Sequence, residues 1–444
     1  MLNKLARREF QLVLTYAPAG LGHLRVTDAL YHGLPETVNP VLLGSQDKSI
    51  QVLHRITSIN PLLRQGFEWL QSGPLADRSN RLYRSFLRSG TGEIYEQLAK
   101  LIEERLEPPR EVLVISTHFG LAHKLAAVKE KLQKEKQVRV VLAVIVTDDT
   151  FQHVWYVDGA DLLTVPSHLV KEQYQAYGKS LGNSVSIRVL PYPLSPALGK
   201  KLKPIEMTGK VNQLDANCAE SIRVSIPISG AAVGTDYFLD LMRDLRAKSE
   251  RFRFHIVSKD APFTRDFLST IAGEFWIVSH AAKTDRKVVD AYDDLFQEHV
   301  ISLEITKPSE QSFKALIGTH LRGGVILLFS APVGKQEFDN LDFLQRHYLI
   351  PSMQTNARLW EMAEKQASMD GDDRGRIFDE ACYWRGVRLP ENPQKAGNFI
   401  LWMLANGILS QMMNCYMMPN PKDEHPDELG PDGVSRFWNL VVSL

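Results

Sequence analysis

The sequence has few cysteines and no cysteine pairing pattern. Cys218, Cys382 and Cys415 are widely separated along the 444 residues and form no CxxC motif. An odd number of distant cysteines argues against a disulfide framework and against a zinc site. A reducing compartment such as the cytoplasm fits this composition best.

An excess of charge of either sign is also absent. Lysine plus arginine and aspartate plus glutamate number 52 each, so the formal net charge is +0. A dedicated nucleic-acid binder carries a basic excess, and we therefore expect no nucleic-acid partner. The opening MLNKLARREFQLVL is basic but lacks a long apolar core and a small-residue cleavage site. We expect no secretory signal and a cytoplasmic protein.

Long apolar segments are rare, and the longest has two interpretations. Residues 396–421 include no charged side chain and are long enough to span a bilayer. Polar residues recur along this segment, and each would need a hydrogen-bond partner in hydrocarbon. These residues are Asn398, Asn406, Ser410, Gln411 and Asn414. They favour a helix that is buried in the core or lies at a membrane interface over a membrane span.

What the first half does contain is an alternation of short apolar runs and helical patterns. The runs FQLVLTYA (10–17), EVLVIST (111–117), VRVVLAVIVTD (138–148) and ADLLTVPS (160–167) are nearly continuous, which is typical of buried parallel strands. Helical patterns such as LAHKLAAVKEKLQKE lie between them. This order predicts a doubly wound α/β domain with right-handed crossovers.

A second set of apolar runs follows a polar stretch. Residues 199–221 have little periodicity and are a candidate linker. The later runs are SIRVSIPISG, RFRFHIVSK, FWIVSH, HVISLEIT and GVILLFSAP. We therefore predict an α/β protein with two Rossmann-like domains, 1–205 and 206–352, and a C-terminal helical extension over 353–444.

Two glycines and a histidine follow the first predicted strand. Gly20, Gly22 and His23 lie in LTYAPAGLGHLRVTDAL, where the next helix would direct its N-terminal amides at a bound anion. The nucleotide fingerprints fail, because Arg25 occupies the third glycine position of GxGxxG and no GK[ST] follows. A tight turn with His23 as a helix cap is the alternative.

Histidines and aspartates mark the ends of two further strands. His118 directly follows the run 111–117, and Asp148, Asp149 and His153 lie at and beyond the end of the next run. The ends of parallel strands face one cleft, so these side chains are candidates for a general base or for binding hydroxyls. A lone histidine is more often structural, but polar residues at three strand ends favour a site.

The second half repeats the order of strand, glycine and helix. Gly230 and Gly234 follow a strand in ISGAAVGTDYF, and Lys307 and Ser309 stand at a predicted helix start in EITKPSEQSFKAL. Small residues and a lysine at a helix N-terminus are typical of a phosphate site.

Three polar side chains follow the last strong strand, in APVGKQEFDNLDFL. Gln336, Glu337 and Asn340 carry amides and a carboxylate, which suit the neighbouring hydroxyls of a sugar or ribose. A solvated loop before an Asn-capped helix is the alternative.

Five segments taken in order resemble the two-domain GT-B glycosyltransferases. They are AGLGH, STHFG, VTDDTFQHVWYVDGADLLTVPSHLVKEQ, TKPSEQSFKAL and VGKQEFDNLDFL, and the resemblance covers roughly 10–350. The most similar branch contains the plant monogalactosyldiacylglycerol synthases and the bacterial processive diacylglycerol glucosyltransferases. The resemblance implies an N-terminal acceptor domain and a C-terminal domain that binds a UDP-sugar, with reaction in the cleft between them.

The resemblance also implies roles for the residues named above. Gly20, Gly22 and His23 would face the donor diphosphate and the reacting centre. The acceptor side would include Asp148, Asp149, His118 and His153. The donor site of the second domain would consist of Gly230, Gly234, Thr306, Lys307, Pro308, Ser309, Gln336, Glu337 and Asn340.

The implied reaction is an inverting transfer of a sugar from a nucleotide sugar to a lipid or other hydrophobic acceptor. It uses no metal and no cofactor beyond the UDP-sugar co-substrate. Helix N-termini and Lys307 would stabilise the departing diphosphate. His23 or Asp148 would deprotonate the acceptor hydroxyl.

The donor motifs depart from the family pattern in the turn and at two further positions. The family turn KPGGLT reads KPSEQS here, which places Glu310 near the expected diphosphate. Ala315 replaces the glutamate that holds the ribose, and Lys335 replaces the glycine before Gln336. The alternative function is therefore a GT-B-fold protein without donor binding that serves as a binding or scaffolding partner. A nucleotide-sugar epimerase on the same fold is a third hypothesis.

A basic and aromatic region between 51 and 90 is a candidate membrane contact. Its arginines outnumber Glu68 and Asp77, and aromatic residues such as Trp69 and Phe86 lie among them. Helices of this kind rest on anionic lipid headgroups. An anionic membrane surface is thus a candidate partner, with the protein peripheral on its inner face. An ordinary solvated helix face is the alternative.

Overall fold

The computed structural model describes residues 5–16, 21–44, 90–228, 232–329, 332, 334–369, 371–415 and 418–444. The chain divides into two compact units. The first comprises Met1–Pro196 and Asp432–Leu444, and the second comprises Ala197–Pro431. The region predicted to meet an anionic membrane, 51–90, lies outside the described residues apart from Gly90.

The first unit is built on a parallel sheet, six-stranded within its described residues. Its strands are β1 (Phe10–Tyr16), β2 (Val41–Gly44), β3 (Glu111–Ser116), β4 (Arg139–Ile145), β5 (Leu162–Val165) and β6 (Ile187–Val189), in the order β2-β1-β3-β4-β5-β6. Its helices are α1 (Leu21–His32), α2 (Gly92–Glu103), α3 (Phe119–Lys136) and α4 (His168–Ser180), together with Gly433–Val441 from the far end of the sequence.

The central strands of this sheet are the predicted apolar runs. Strand β3 is buried at all positions after Glu111, and β4 at all positions after Arg139, as is typical of parallel strands covered by helices on both faces. The register pairs Thr15 with Ser116, and Ser116 with Val144. The carboxyl ends of β1, β3 and β4 therefore lie side by side, which brings together the loops that follow them.

The second unit repeats this plan with a parallel sheet that is also six-stranded within the described residues. Its strands are β7 (Ile222–Pro227), β8 (Phe252–Lys259), β9 (Ile277–Ala282), β10 (Leu303–Thr306), β11 (Val325–Leu328) and β12 (Gly386–Arg388), in the order β12-β11-β10-β7-β8-β9. Its helices are α5 (Pro204–Gln213), α6 (Thr235–Lys248), α7 (Arg265–Ile271), α8 (Asp285–Glu298), α9 (Lys335–Arg346), α10 (Met353–Glu364), α11 (Gly371–Ala381), α12 (Pro393–Ala405) and α13 (Ile408–Asn414).

The prediction of two Rossmann-like α/β domains is confirmed by these two sheets. The GT-B fold consists of two such domains in one chain. A shared cleft between them stays a prediction. The segment predicted as a helical extension, 353–444, is divided between the units. Residues 353–431 belong to the second unit and add strand β12, whereas 432–444 belong to the first.

The stretch 199–221, predicted as a linker, contains helix α5, so this prediction was wrong. Pro204 occupies its first turn, and the Glu206 carboxylate accepts a hydrogen bond from the Lys203 N–H at 2.7 Å. A polar side chain anchors this helix. The buried Lys210 donates hydrogen bonds to three backbone carbonyls in the loop 318–323. A polar inner face leaves no apolar periodicity in the sequence.

Within the uncharged stretch 396–421, residues up to Asn414 form core helices of the second unit, one of the two alternatives expected. Helices α12 and α13 are separated at Gly407, whose φ is +76°. Their polar side chains find partners, since Asn406 donates to the Trp402 carbonyl at 2.9 Å and Gln411 to the Cys382 sulfur at 3.0 Å. Across the described part of the chain, every helix is too short or too polar to cross a bilayer.

Candidate functional site

His23 lies in the first turn of α1, and its backbone carbonyl is held by one threonine of the same helix and one that follows β3. Its carbonyl accepts hydrogen bonds from the hydroxyls of Thr27, at 2.9 Å, and Thr117, at 3.1 Å. These two hydroxyl oxygens are 2.8 Å apart, and Thr117 directly follows β3. Residues at the end of β3 therefore fix the position of His23.

The imidazole of His23 contacts the ends of two neighbouring strands. Its Nδ1 is 3.2 Å from the Thr147 hydroxyl, which lies beyond β4, and its ring lies edge-on to His118 with centroids 5.0 Å apart. When Nδ1 donates to Thr147, the neutral ring has its lone pair on Nε2, which can accept a proton. The structure thus brings His23 and His118 together, as predicted from their positions after successive strands.

His118 itself caps a helix. Its Nδ1 accepts a hydrogen bond from the Leu121 N–H at 3.5 Å, and its ring stacks on Phe119 at 4.8 Å. The residue is buried at the start of α3. These contacts hold the His118 ring beside the His23 ring. The acceptor-side role of His118 stays a prediction.

The loop after β4 positions its three predicted residues differently. Asp148 is half-buried, whereas Asp149 is buried. His153 stacks on Tyr177 with centroids 4.1 Å apart and lies edge-on to Phe151 at 5.0 Å. Asp148 and His153 are both half-buried, and of the two His153 belongs to an aromatic cluster.

The glycines of the predicted nucleotide loops are described in part. Gly20 and Gly230 lie outside the described residues, and Gly22 is in the first turn of α1. Gly234 precedes α6 with φ +89°, and a Cβ there would lie 2.5 Å from the Phe329 ring. Both the backbone conformation and the close approach of Phe329 require glycine at 234.

Lys307 and Glu337, from two motifs predicted separately, form an ion pair. The Lys307 Nζ is 3.0 Å from Glu337 Oε1, and the two side chains are only 16% and 12% exposed. Lys307 follows β10, whose last residue Thr306 accepts a hydrogen bond from the Phe329 N–H at 3.0 Å. Glu337 lies in the first turn of α9. A cation and a carboxylate therefore meet at the carboxyl end of β10.

The helix predicted at Ser309 is present, but it is a short 3-10 helix, Glu310–Leu316. Pro308 is buried and Ser309 is half-buried at its start. Seven residues of 3-10 helix carry a smaller aligned dipole than an α-helix. A phosphate bound here would therefore depend on the Lys307 ammonium more than on helix amides.

The remaining donor-side residues differ in exposure. Gln336 is exposed and Glu310 is half-buried, whereas Asn340 and Ala315 are buried. Asn340 is fully buried, so its predicted role in donor binding stays a prediction. Ala315 is completely enclosed by protein.

The sequence interpretation missed a buried polar cluster beneath the Lys307 turn. Glu304, on β10, and Lys314, in the 3-10 helix, form an ion pair with 1% and 8% side-chain exposure. The Lys314 Nζ is 2.6 Å from the Tyr292 hydroxyl on α8 and 3.2 Å from the Gln311 side-chain oxygen. The signal that could have revealed it is the single glutamate within the apolar run HVISLEIT, because a charge there needs a buried partner.

No protein-family model and no curated protein matches the chain. Solved structures do: a UDP-GlcNAc 2-epimerase from Neisseria meningitidis bound to UDP-GlcNAc is 11% identical, with TM-score 0.47 and coverage of 98% of this chain and 99% of that one. Arabidopsis thaliana UGT89C1 complexed with UDP is 12% identical, with TM-score 0.45 and coverage of 99% and 94%.

A UDP-glucosyltransferase from Polygonum tinctorium capable of glucosylating indoxyl is also similar. It is 10% identical, with TM-score 0.41 and coverage of 99% of this chain and 100% of that one. Identities and TM-scores of this size support no statement about the substrate or mechanism of this chain. Substrate and mechanism therefore have to be argued from the residues of this chain.

Proposed function

We propose that the chain is a glycosyltransferase that moves a sugar from a UDP-sugar to a hydroxyl of a lipid or other hydrophobic acceptor, with inversion and without a metal. The observation that carries this proposal is the Lys307–Glu337 pair. It supports a donor site because a half-buried cation suits a diphosphate and the adjacent carboxylate suits sugar hydroxyls.

On the donor side, Lys307 would neutralise the diphosphate as it leaves. The bond between the anomeric carbon and the diphosphate oxygen breaks while the acceptor oxygen bonds to that carbon, and the electron pair departs with the diphosphate. An ammonium held at low exposure stabilises that charge more strongly than one in bulk water. Gln336 and Glu337 would orient the sugar through its hydroxyls.

On the acceptor side, His23 would take the proton of the attacking hydroxyl. Its Nδ1 contact with Thr147 sets the ring orientation and favours a basic Nε2. Asp148, which is half-buried beside Thr147 in the sequence, is the second candidate base. A single displacement at the anomeric carbon gives inversion.

The first experiment is a thermal-shift screen with UDP, GDP, dTDP and their sugars, followed by calorimetry on the best ligand. We expect selective binding of UDP and a UDP-sugar, and an affinity loss of about tenfold or more in Lys307→Met. Lys335→Met is the matched control, since Lys335 is an exposed lysine that pairs with Asp339 on α9. An equal loss in both variants, or equal binding of all nucleotides, contradicts the donor site.

The second experiment separates chemistry from binding. His23→Ala should retain UDP binding and lose sugar transfer by about 100-fold or more, the range for removal of a general base. Turnover of a UDP-sugar without any acceptor would instead favour the epimerase hypothesis. Full transfer activity in His23→Ala together with loss in Asp148→Asn would assign the base to Asp148.

A non-catalytic binding protein is the second candidate. It is favoured by Glu310, which adds negative charge beside the proposed diphosphate position, and by the enclosed Ala315. Absence of stabilisation by every nucleotide in the screen would support the non-catalytic protein over the enzyme.

The proposed membrane contact of residues 51–90 is tested by sedimentation with lipid vesicles. The sedimented fraction of the protein should increase with anionic lipid content, and binding indifferent to that content contradicts the contact.

A further inference from the structure

The Lys307–Glu337 pair is built into two packed elements. The Lys307 turn is continuous with β10 and with the 3-10 helix, and the Phe313 ring of that helix lies 5.1 Å from Phe343 of α9. Glu337 extends from the first turn of the same α9. The two charges therefore face each other before any ligand arrives.

We propose that Glu337 expels the nucleoside diphosphate product by competing with its phosphates for the Lys307 ammonium. This inference rests on the donor site proposed above and adds a step that the site alone does not specify. Carboxylate and phosphate oxygens bind an ammonium through the same charge-assisted hydrogen bonds. The competition takes place where both side chains are largely withdrawn from water, so an unpaired charge is costly.

The competition discriminates between a sugar nucleotide and the nucleotide alone. A phosphate that binds Lys307 displaces the Glu337 carboxylate and leaves it without its cation. A sugar attached to that phosphate supplies hydroxyl donors, and the carboxylate oxygens can accept them. A nucleoside diphosphate has no sugar hydroxyl at this place, so it binds at the cost of the Lys307–Glu337 ion pair, and nothing on the ligand replaces that pair for the carboxylate.

The same difference gives the reaction a direction. Before transfer, the sugar hydroxyls occupy Glu337 and the diphosphate occupies Lys307. After transfer, the sugar leaves with the acceptor, Glu337 loses its donors, and its carboxylate returns to Lys307. The pair re-forms, and the diphosphate product loses its cation and dissociates.

The test compares binding of UDP with binding of UDP-glucose, UDP-galactose and UDP-N-acetylglucosamine by calorimetry. In Glu337→Gln, we expect UDP to bind about tenfold tighter and the preferred UDP-sugar to bind more weakly. Asp342→Asn is the matched control, because Asp342 is a 65% exposed carboxylate on the same helix, paired with Arg346 at 3.2 Å. It should change neither affinity.

Two further measurements separate this role from a structural one. In a Lys307→Gln background, Glu337→Gln should no longer change UDP affinity, since no ammonium remains to compete for. In turnover assays, Glu337→Gln should show about tenfold stronger inhibition by added UDP, as its tighter UDP binding requires. Unchanged or weaker UDP binding in Glu337→Gln overturns the inference and leaves the donor site standing. Absence of UDP and UDP-sugar binding in the unmodified protein overturns both.

Discussion

A buried histidine of the second sheet makes the stability of this protein sensitive to acid. His255, on β8, is 4% exposed, and its Nδ1 lies 3.2 Å from Nε2 of His280 on β9. The His299 ring at the end of α8 lies 4.7 Å away. Burial, helped by the charges of His299, His280 and Arg223, lowers the pKa of His255 to about 3. The pKa of His280 is lowered too, chiefly by burial, against the opposing charge of Glu298.

The sign of the pH dependence follows from the two states of His255. In the unfolded chain its pKa is 6.5, and in the folded protein it is about 3. The unfolded state therefore binds more protons as the pH falls below 6.5, and the free energy of unfolding decreases. For these two pKa values, the loss between pH 7 and pH 5 is about 2 kcal/mol.

The assay is urea unfolding followed by circular dichroism at pH 7, 6 and 5. We expect the unmodified protein to lose about 2 kcal/mol more than His255→Gln over this range, since the variant has no group to protonate at this position. An equal loss in both proteins would refute the assignment, because the acid sensitivity would then arise elsewhere.

Three further substitutions test the second unit. Burial lowers the pKa of Lys210 to about 7, so stability should rise by about 2 kcal/mol from pH 7 to pH 9, and urea titrations of Lys210→Met should lack this rise. Gly234→Ala should lower the free energy of unfolding by at least about 1 kcal/mol, because φ at this residue is +89° and the Phe329 ring is 2.5 Å from the added Cβ. An unchanged melting temperature of this variant contradicts the prediction. Lys314→Met should cost about 3–5 kcal/mol by leaving Glu304 buried without its cation, and adding Glu304→Gln should restore part of that loss in the same titration.

The sequence predicts the centre of each described sheet and misses three of the four edge strands. Central strands such as β3 and β4 are covered on both faces, so they are continuous apolar runs. The edge strands β2, β6 and β12 have three or four residues, and each has half-buried or exposed positions, whereas the equally short β5, β10 and β11 are buried throughout. Helix α5 was missed because its anchor is Lys210, whose charge is hidden by backbone carbonyls rather than by apolar packing.

The sequence indicated the residues of the candidate site one by one, but it did not indicate which of them form contacts with each other. Strand ends identified His23 and Lys307, since loops at the carboxyl edge of a parallel sheet collect ligand contacts. The Lys307–Glu337 pair depends on how α9 packs against the 3-10 helix, and no local pattern encodes that packing. The cap formed by His118 has the same origin, because a histidine that follows a strand carries the same local signature whether it caps or catalyses.

The first unit cannot be completed in the order in which its chain is made. Its helix Gly433–Val441 packs on α1, where the Trp438 indole donates to the Leu30 carbonyl at 3.0 Å and Val434 approaches Gly33. Between residue 196 and this helix stands the whole of the second unit. During synthesis on the ribosome, the α1 surface therefore lacks this helix until the second unit has been synthesised. The domain that starts first is finished last, which reverses the usual order of folding during synthesis.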